Sequence, residues 1–199
     1  MTLITVLDLI GTLVFAISGS LMAKQHDFDI FGAAVVAFVT ALGGGTIRDL
    51  LIGVTPVGWM IDPQYLVAVI TGVVMVLVFP SYLLKLRKTM FLFDTIGIGI
   101  FTLIGIQKAM GLGLSPMIAL MMGMVSAVFG GVIRDILCTE VPLIFRKEIY
   151  ATACLAGGAI YLLSIYLGVN NNLAMITSMF IIIGIRLVSV VKHIALPKI

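Results

Sequence analysis

Charged side chains are scarce in this sequence. Only 11% of the 199 residues are Asp, Glu, Lys or Arg, whereas soluble domains carry about 25%. The apolar share is 61%, and the mean hydropathy is +1.26. A soluble globule of 21.3 kDa could not cover its surface with so few polar groups. The composition therefore excludes an ordinary soluble enzyme and a disordered chain, and it indicates an integral membrane protein.

Cysteine, histidine and catalytic motifs are also sparse. The two cysteines, Cys138 and Cys154, are too few for a disulfide scaffold and lack metal-ligand spacing. The two histidines, His26 and His193, have no Cys, Asp or Glu at zinc-ligand spacing. The chain contains no GxSxG, P-loop or HExxH motif. We therefore predict that the protein is not an enzyme and holds neither a metal nor a cofactor.

Long apolar runs are what the sequence has instead. A helix needs about 20 apolar residues to cross a bilayer, and these runs are continuous rather than alternating, which favours helices over a β-barrel. We predict an all-α integral membrane protein with seven transmembrane helices and no extramembrane domain. The seven predicted spans are Leu3–Ala23, Ile30–Ile52, Gln64–Leu84, Thr89–Lys108, Pro116–Leu137, Ile149–Leu167 and Leu173–Val191.

The basic residues predict the orientation of these spans. One side of the predicted topology collects eight Lys and Arg residues in its loops and tail, while the other side has only Lys108. The positive-inside rule then places the N-terminus outside and the C-terminus in the cytoplasm. This role accounts for the pI near 9.0 without a nucleic-acid partner. The eight residues are Lys24, Lys85, Arg87, Lys88, Arg146, Lys147, Lys192 and Lys198.

An internal repeat divides the chain. The segment GGTIRDLL, which begins at Gly44, recurs 86 residues later as GGVIRDIL. The same offset without a gap gives 17 identities over the 65 positions from Asp8 to Gly72, well above chance for this composition. Each copy holds three predicted spans, and because three is odd the second copy is predicted to be inverted. The predicted units are residues 3–86, residues 89–168 and a seventh helix at 172–192.

Glycines interrupt the second and fifth predicted spans at equivalent positions. Each interior glycine costs a helix about 1 kcal/mol relative to alanine, so Gly43, Gly44 and Gly45, and likewise Gly130 and Gly131, predict a bend or opening of the helix. Freed backbone groups at membrane depth would have to face protein or a hydrated cavity. The alternative is that the glycines only allow close helix packing. Under the cavity hypothesis, a Gly44→Ala, Gly130→Ala protein is expected to fold but to lose its conductance.

Three arginines, Arg48, Arg134 and Arg186, lie inside predicted spans, and the first two occupy equivalent positions in the repeats. A charge at that depth costs a few kcal/mol unless it is paired or hydrated. We predict that Asp8 pairs with Arg48 and that Asp94 pairs with Arg134, since each pair lies near one face of the membrane. The adjacent Asp49 and Asp135 point about 100° away from these arginines and are not assumed to be their partners. These pairs either hold the helices together without a part in transport or form part of a transport path, and the sequence leaves both roles open.

The doubled Gly-Gly-x-x-Arg-Asp, the two three-helix repeats and the seventh helix resemble the prokaryotic trimeric intracellular cation channels. Bacterial relatives of that family are also described as a glycine-transporter domain. The resemblance covers about Leu3 to Val191. It implies a homotrimer in the prokaryotic plasma (inner) membrane, surrounded by lipid and with no soluble protein partner, in which each subunit holds a potassium-permeable pore. Phe129 stands where that family has a third glycine, which would narrow the inner half.

Two functions follow from these observations. The first is a monovalent cation channel whose pore is lined by the glycine-broken second and fifth spans. The second is a transporter of a small amino acid such as glycine, for which Arg48 or Arg134 would bind the carboxylate. Absence of a TVGYG-type filter predicts modest discrimination among cations in the first case. The predicted pore-lining residues are Gly43, Gly44, Gly45, Gly130 and Gly131, with Thr40 and Ser126 as hydroxyl ligands and Thr46 at the start of the second half-helix.

Overall fold

The computed structural model describes residues 3–79, 89–146, 149–192 and 194, and every regular element within these ranges is helical. Five helices are long and apolar enough to cross a membrane, namely α1, α2, α5, α6 and α8, while α4 and α7 are shorter apolar helices. The predicted all-helical class is confirmed. The helices are α1 (Leu3–Gln25), α2 (Ile30–Leu51), α3 (Gly58–Ile61), α4 (Gln64–Val78), α5 (Thr89–Gly111), α6 (Pro116–Leu137), α7 (Ala151–Tyr166) and α8 (Asn171–Val191).

The helix bounds follow the apolar runs closely. The predicted span Pro116–Leu137 coincides with α6, and Ile30–Ile52 exceeds α2 by a single residue. Helix α4 ends at Val78, before the predicted end of its span. The remainder of that span and several predicted topology determinants lie outside the described residues. These determinants are Lys85, Arg87, Lys88, Lys147 and Lys198, and His193 also lies outside the described residues.

Contacts between helix ends define two ends of the bundle. At the first, the start of α1 meets the start of α4, where the Tyr65 hydroxyl donates to Asp8. The end of α2 meets the end of α5 at the same place, where Lys108 binds Asp49. We call this the Asp8 end and the opposite one the Asp94 end.

The Asp94 end gathers the other helix termini. Arg134, near the end of α6, binds Asp94, near the start of α5. His26, just after α1, lies 3.7 Å from Glu140, just after α6. Helix α1 therefore runs from the Asp8 end to the Asp94 end, whereas α5, its equivalent at the 86-residue offset, runs the other way.

The repeat offset is preserved in the helix bounds and in the core. The bounds of α5 and α6 are those of α1 and α2 shifted by 86 residues. Phe15 and Phe101, which are also 86 residues apart, pack in a tilted arrangement with ring centroids 5.2 Å apart in the core. Gly11 lies against the Phe101 ring, and its equivalent Gly97 lies against the Phe15 ring. Equivalent residues thus contact each other across the boundary between the repeats.

Helices α2 and α6 cross at their glycines. A Cβ atom on Gly44 would overlap the carbonyl oxygen of Ser126, and a Cβ atom on Gly130 would overlap the carbonyl oxygen of Thr40. Thr40 and Ser126 are themselves equivalent positions. The two helices therefore approach backbone to backbone, as small residues allow in membrane proteins. Adding or subtracting the repeat offset of 86 residues converts the Gly44–Ser126 contact into the Gly130–Thr40 contact.

Helix α8 is fixed by a buried arginine. The Arg186 side chain is fully buried, and its Nη1 donates to the carbonyl of Ile149, 3.0 Å away. Its guanidinium carbon lies 4.9 Å from the ring centroid of Phe91 and 4.7 Å from that of Tyr150. Cation–π contacts of this kind are strongest where water is excluded, so Arg186 ties α8 to the starts of α5 and α7.

Candidate functional site

A cavity of about 360 Å³ lies at the Asp8 end between α1, α2, α4 and α5. We call it the Asp8 cavity. Four charged side chains line it, two acidic and two basic: Asp8, Asp49, Arg48 and Lys108. The wall between them is partly aromatic and polar, with Trp59, Tyr65, Phe101, Thr46 and Gln107. Such charges inside an apolar helical bundle are a sign of a functional site, because they are costly there and are kept only when paired or hydrated.

Arg48, Asp49 and Lys108 form a continuous ion-pair chain along one wall. Arg48 Nε donates to Asp49 Oδ1 at 2.8 Å, and Arg48 Nη1 donates to the Ser126 hydroxyl at 3.0 Å. Lys108 Nζ donates to the second oxygen, Asp49 Oδ2, at 2.8 Å. Both carboxylate oxygens of Asp49 are therefore bound to cationic groups, and Arg48 is also bonded to α6.

Asp8 is bound differently from its predicted arrangement. Its Oδ2 accepts a hydrogen bond from the Tyr65 hydroxyl at 2.6 Å, and among the ion pairs of the described residues none involves Asp8. The predicted Asp8–Arg48 pair is therefore wrong. The long, flexible arginine stem lets the guanidinium fold back onto Asp49, despite the 100° between adjacent residues on a helix.

A second buried arginine cluster occupies the equivalent position at the Asp94 end. Arg134 Nη1 lies 2.8 Å from Asp94 Oδ1 and 2.8 Å from the Ser18 hydroxyl. Arg134 Nε donates to Asp135 Oδ1 at 2.9 Å, and Asp135 Oδ2 accepts from the backbone NH of Leu143 at 3.0 Å. The predicted Asp94–Arg134 contact is confirmed, and Asp135 joins it as Asp49 joins Arg48.

The two clusters differ in their surroundings. Arg134 and Asp94 are 0% exposed, whereas Asp8 and Lys108 are partly exposed and border the Asp8 cavity. The difference follows from the sequence at equivalent positions. Tyr65 and Lys108 of the cavity wall correspond, at the repeat offset, to Ala151 and Met22. The Asp94 end therefore lacks those polar groups at the positions where the Asp8 end has them.

The five glycines predicted to line the pore are placed in four different environments. Gly44 and Gly130 lie at the crossing of α2 and α6, and Gly45 lines the Asp8 cavity. A Cβ on Gly131 would lie 3.0 Å from the Tyr150 hydroxyl, beside Asp94 and Arg134. A Cβ on Gly43 would lie 3.4 Å from Ile133.

The predicted opening of the helices at these glycines is wrong. Helix α2 is α-helical from Ile30 to Leu51, and α6 is α-helical from Pro116 to Leu137. The close backbone contact at the crossing stabilises uninterrupted helices in spite of the low helix propensity of glycine. The same contact contradicts the expectation that alanine at Gly44 and Gly130 would leave folding intact.

The hydroxyl groups of Thr40, Thr46 and Ser126, which were predicted to line the pore, are already hydrogen-bonded, that of Ser126 to Arg48. Thr40 Oγ1 donates to the Val36 carbonyl at 2.6 Å, and its side chain is buried. Thr46 Oγ1 donates to the Leu42 carbonyl at 2.7 Å and accepts from Trp59 Nε1 at 3.1 Å. Of the eight predicted pore-lining residues, Gly45 and Thr46 line the Asp8 cavity. The contribution of all eight to an ion path stays a prediction.

Three residues of the cavity wall were missed by reasoning from the sequence. Trp59 lies between the second and third predicted spans and Tyr65 at the start of the third, and aromatic residues are common at such membrane interfaces. Lys108 is the only basic residue in the loops of its side of the predicted topology. These signals were available in the sequence, but only the fold places all three residues around Asp8 and Asp49.

The described chain is thus a helical membrane protein with two equivalent buried arginine clusters and a polar cavity beside one of them. A protein-family model described as "Glycine transporter" matches residues 5–81 and 91–165. The chain belongs to this family, which includes the bacterial TRIC (trimeric intracellular cation channel) proteins.

Relatives and solved structures resemble nearly the whole chain. An inner membrane protein of Escherichia coli K12, named UPF0126 inner membrane protein YadS, is 41% identical over 96% of this chain and 93% of its own length. A UPF0126 membrane protein of Vibrio cholerae is 39% identical over 98% of this chain and 82% of its own. The crystal structure of the TRIC channel orthologue from Rhodobacter sphaeroides matches with a TM-score of 0.92 and 34% identity, covering 98% of this chain and 100% of that one.

Proposed function

We propose that this protein is a monovalent cation channel of the prokaryotic inner membrane, permeable to potassium. The observation that carries the proposal is a charged cavity inside a bundle whose backbone matches a TRIC cation channel with a TM-score of 0.92. Without a ring of filter carbonyls, discrimination among monovalent cations is modest. No enzymatic step, metal or cofactor is part of this function.

The proposed topology has seven membrane spans in two inverted three-helix repeats, residues 3–86 and 89–168, followed by a seventh helix at 172–192. The opposite directions of α1 and α5, their matching bounds and the exchanged contacts of Gly44 and Gly130 support it. The distribution of lysine and arginine places the Asp8 end outside and the C-terminus in the cytoplasm.

Each subunit holds its own ion path in this proposal. The path begins in the Asp8 cavity, passes Gly45 and Thr46, and continues beside the crossing of α2 and α6 towards Arg134. The fully buried Arg134 cluster fills the Asp94 end, so the path is closed there in this arrangement. Opening requires that α6 and α5 move apart around this cluster. The subunits assemble as a homotrimer in lipid, as the description of TRIC channels as trimeric suggests.

A transporter of glycine is the second candidate, which the description of the matching family names. The substrate carboxylate would need a cationic partner in the cavity. Arg48 is already bound to Asp49 and Ser126, and Lys108 is bound to Asp49. A substrate would therefore have to displace existing ion pairs, which makes the channel the better supported function.

Two measurements on the purified protein separate the candidates. We expect unitary current steps in a planar bilayer, with a reversal potential in a KCl gradient that shows preference for cations. We expect no saturable uptake of glycine into proteoliposomes. Protein-free bilayers and liposomes from the same preparation serve as controls. Saturable glycine uptake without current steps would reject the channel in favour of the transporter.

A further inference from the structure

Asp8 is the acidic side chain of the cavity whose charge is not balanced by a bonded cation. Asp49 also lines the cavity, but its two oxygens are bound to Arg48 and Lys108. The bonded partner of Asp8 is the neutral hydroxyl of Tyr65, and among the described residues Asp8 forms no ion pair. The carboxylate of Asp8 is therefore oriented by a neutral donor and left ionically unpaired on the cavity wall.

We propose that the Asp8 carboxylate, oriented by the Tyr65 hydroxyl, is a binding position for a monovalent cation in the Asp8 cavity. This inference rests on the proposed function, since it places the permeant ion next to a named side chain. It replaces the glycine backbone, which the continuous helices keep bonded within α2 and α6, as the source of the ligand oxygens.

The net charge of the cavity wall determines how strongly the site binds a cation. Arg48, Asp49 and Lys108 together carry one net positive charge, and Asp8 brings the four charged side chains of the wall to neutrality. A cation at Asp8 is attracted by an adjacent carboxylate and repelled by two ammonium or guanidinium groups that Asp49 only half compensates. Binding is therefore weak, which suits a path that an ion must enter and leave. Without the Asp8 charge the cavity becomes net positive and favours anions.

The only tryptophan of the chain, Trp59, lies on the wall of this cavity and reports directly on its ions. Caesium and iodide both quench tryptophan fluorescence on contact, so their quenching slopes measure the local concentration of a cation and of an anion. The protein is reconstituted in nanodiscs of neutral lipid at low ionic strength, where a single charge is least screened. Acrylamide, which is neutral, measures access to Trp59 independently of charge.

Asp8→Asn is the test variant, and Asp62→Asn is the matched control. Asp62 lies at the same end of the bundle, between α3 and α4, and does not line the cavity. We expect Asp8→Asn to lower the caesium slope about twofold or more and to raise the iodide slope, with no change for acrylamide. Asp62→Asn is expected to leave all three slopes unchanged, and Asp8→Glu to retain most of the caesium slope.

The outcomes separate this site from the channel proposal. An unchanged caesium slope in Asp8→Asn, or an equal fall in Asp62→Asn, would overturn the Asp8 site, since the first shows no local attraction and the second only diffuse surface charge. The quenching measurement needs no current. A wild-type protein that shows the Asp8-dependent slope but no unitary current would retain the site and reject the channel.

Discussion

At the scale of single residues, Arg48 and Arg134 show how the same side chain is held in two ways. Each binds the aspartate that follows it in sequence and a serine of another helix. Arg134 has in addition the fully buried Asp94, whereas the equivalent Asp8 is bound to Tyr65 and faces the cavity. Asp94 therefore neutralises an arginine, whereas its equivalent Asp8 remains available to the cavity.

This difference predicts unequal costs for the same substitution at equivalent positions. Asp94→Asn leaves the buried Arg134 charge less compensated and is expected to lower the free energy of unfolding by about 3 kcal/mol or more. Asp8→Asn removes a charge that has no ion-pair partner and keeps an amide oxygen able to accept from the Tyr65 hydroxyl, so it is expected to cost about 1 kcal/mol or less. Unfolding in mixed micelles, followed by circular dichroism, measures both.

The comparison between the two variants is its own control. Both changes remove one negative charge from a helix terminus of the bundle, so differences in net charge or expression do not enter. Equal losses of stability would show that Asp94 is no more tightly bound into the bundle than Asp8. That result would contradict the proposal that the buried Arg134 cluster closes the ion path at the Asp94 end.

At the scale of helices, the crossing of α2 and α6 depends on the absence of side chains. Gly44 and Gly130 each face the backbone carbonyl of a hydroxyl residue on the other helix. Gly45, one residue further, faces the cavity, where the nearest atom to an added Cβ is Arg48 Nη2 at 3.7 Å. Of these two neighbouring glycines in α2, Gly44 thus allows the close packing of α6, and Gly45 borders the cavity.

Alanine substitutions distinguish these positions. Gly44→Ala is expected to destabilise the protein by about 1–3 kcal/mol, because the new methyl group forces the helices apart. Gly45→Ala makes only an ordinary van der Waals contact, with Arg48 Nη2, and is expected to be neutral or to stabilise by up to about 1 kcal/mol through helix propensity. The same micelle unfolding experiment measures both, with subunit assembly followed by size-exclusion chromatography.

Gly130→Ala repeats the test on the equivalent side of the crossing. It is expected to behave like Gly44→Ala, since its methyl group would overlap the Thr40 carbonyl in the same manner. If Gly44→Ala were as stable as Gly45→Ala, the helices would not be in backbone contact at this crossing. The glycines would then have to be explained by the ion path alone.

At the scale of the whole molecule, the helices alternate between the two ends of the bundle. The start of α8 lies with the end of α7, where the Tyr161 hydroxyl donates to Asn171 at 2.7 Å, and Gln107 of α5 joins them. The end of α8 lies with the start of α7, through Arg186 and Ile149. The seven passes proposed above, an odd number, would put the two termini of the chain on opposite sides of the membrane.

Reporter fusions test this arrangement. A fluorescent protein fused after Lys198 is expected to mature and fluoresce in the cytoplasm, because lysine and arginine are concentrated at that end. Alkaline phosphatase inserted at Asn170–Asn172, where α8 begins, is expected to be active, because the proposed topology has the start of α8 outside. Swapping the two reporters is the control and should silence both. Active reporters of one kind at both sites would reject the seven-span topology and the inversion of the repeats with it.

The sequence by itself determined the membrane class, the approximate positions of most helices and the repeat. Long apolar runs leave the chain little choice but helices in a bilayer, since every backbone group must be bonded internally. Identical residues at a fixed offset reveal duplication without knowledge of any contact. The Asp94–Arg134 pair was also within reach, because a buried charge at membrane depth demands a partner and Asp94 is an acidic residue near the same face.

Only the tertiary structure decided which groups meet. The choice between Asp8 and Asp49 as the partner of Arg48 depends on how a flexible side chain folds back, which helical periodicity does not determine. Glycine propensity predicts a break, but the close approach of α6 turns the same glycines into a packing surface of an unbroken helix. The cavity arises because Tyr65 and Lys108 converge on Asp8 and Asp49 from α4 and α5, and a convergence of distant segments is a property of the fold.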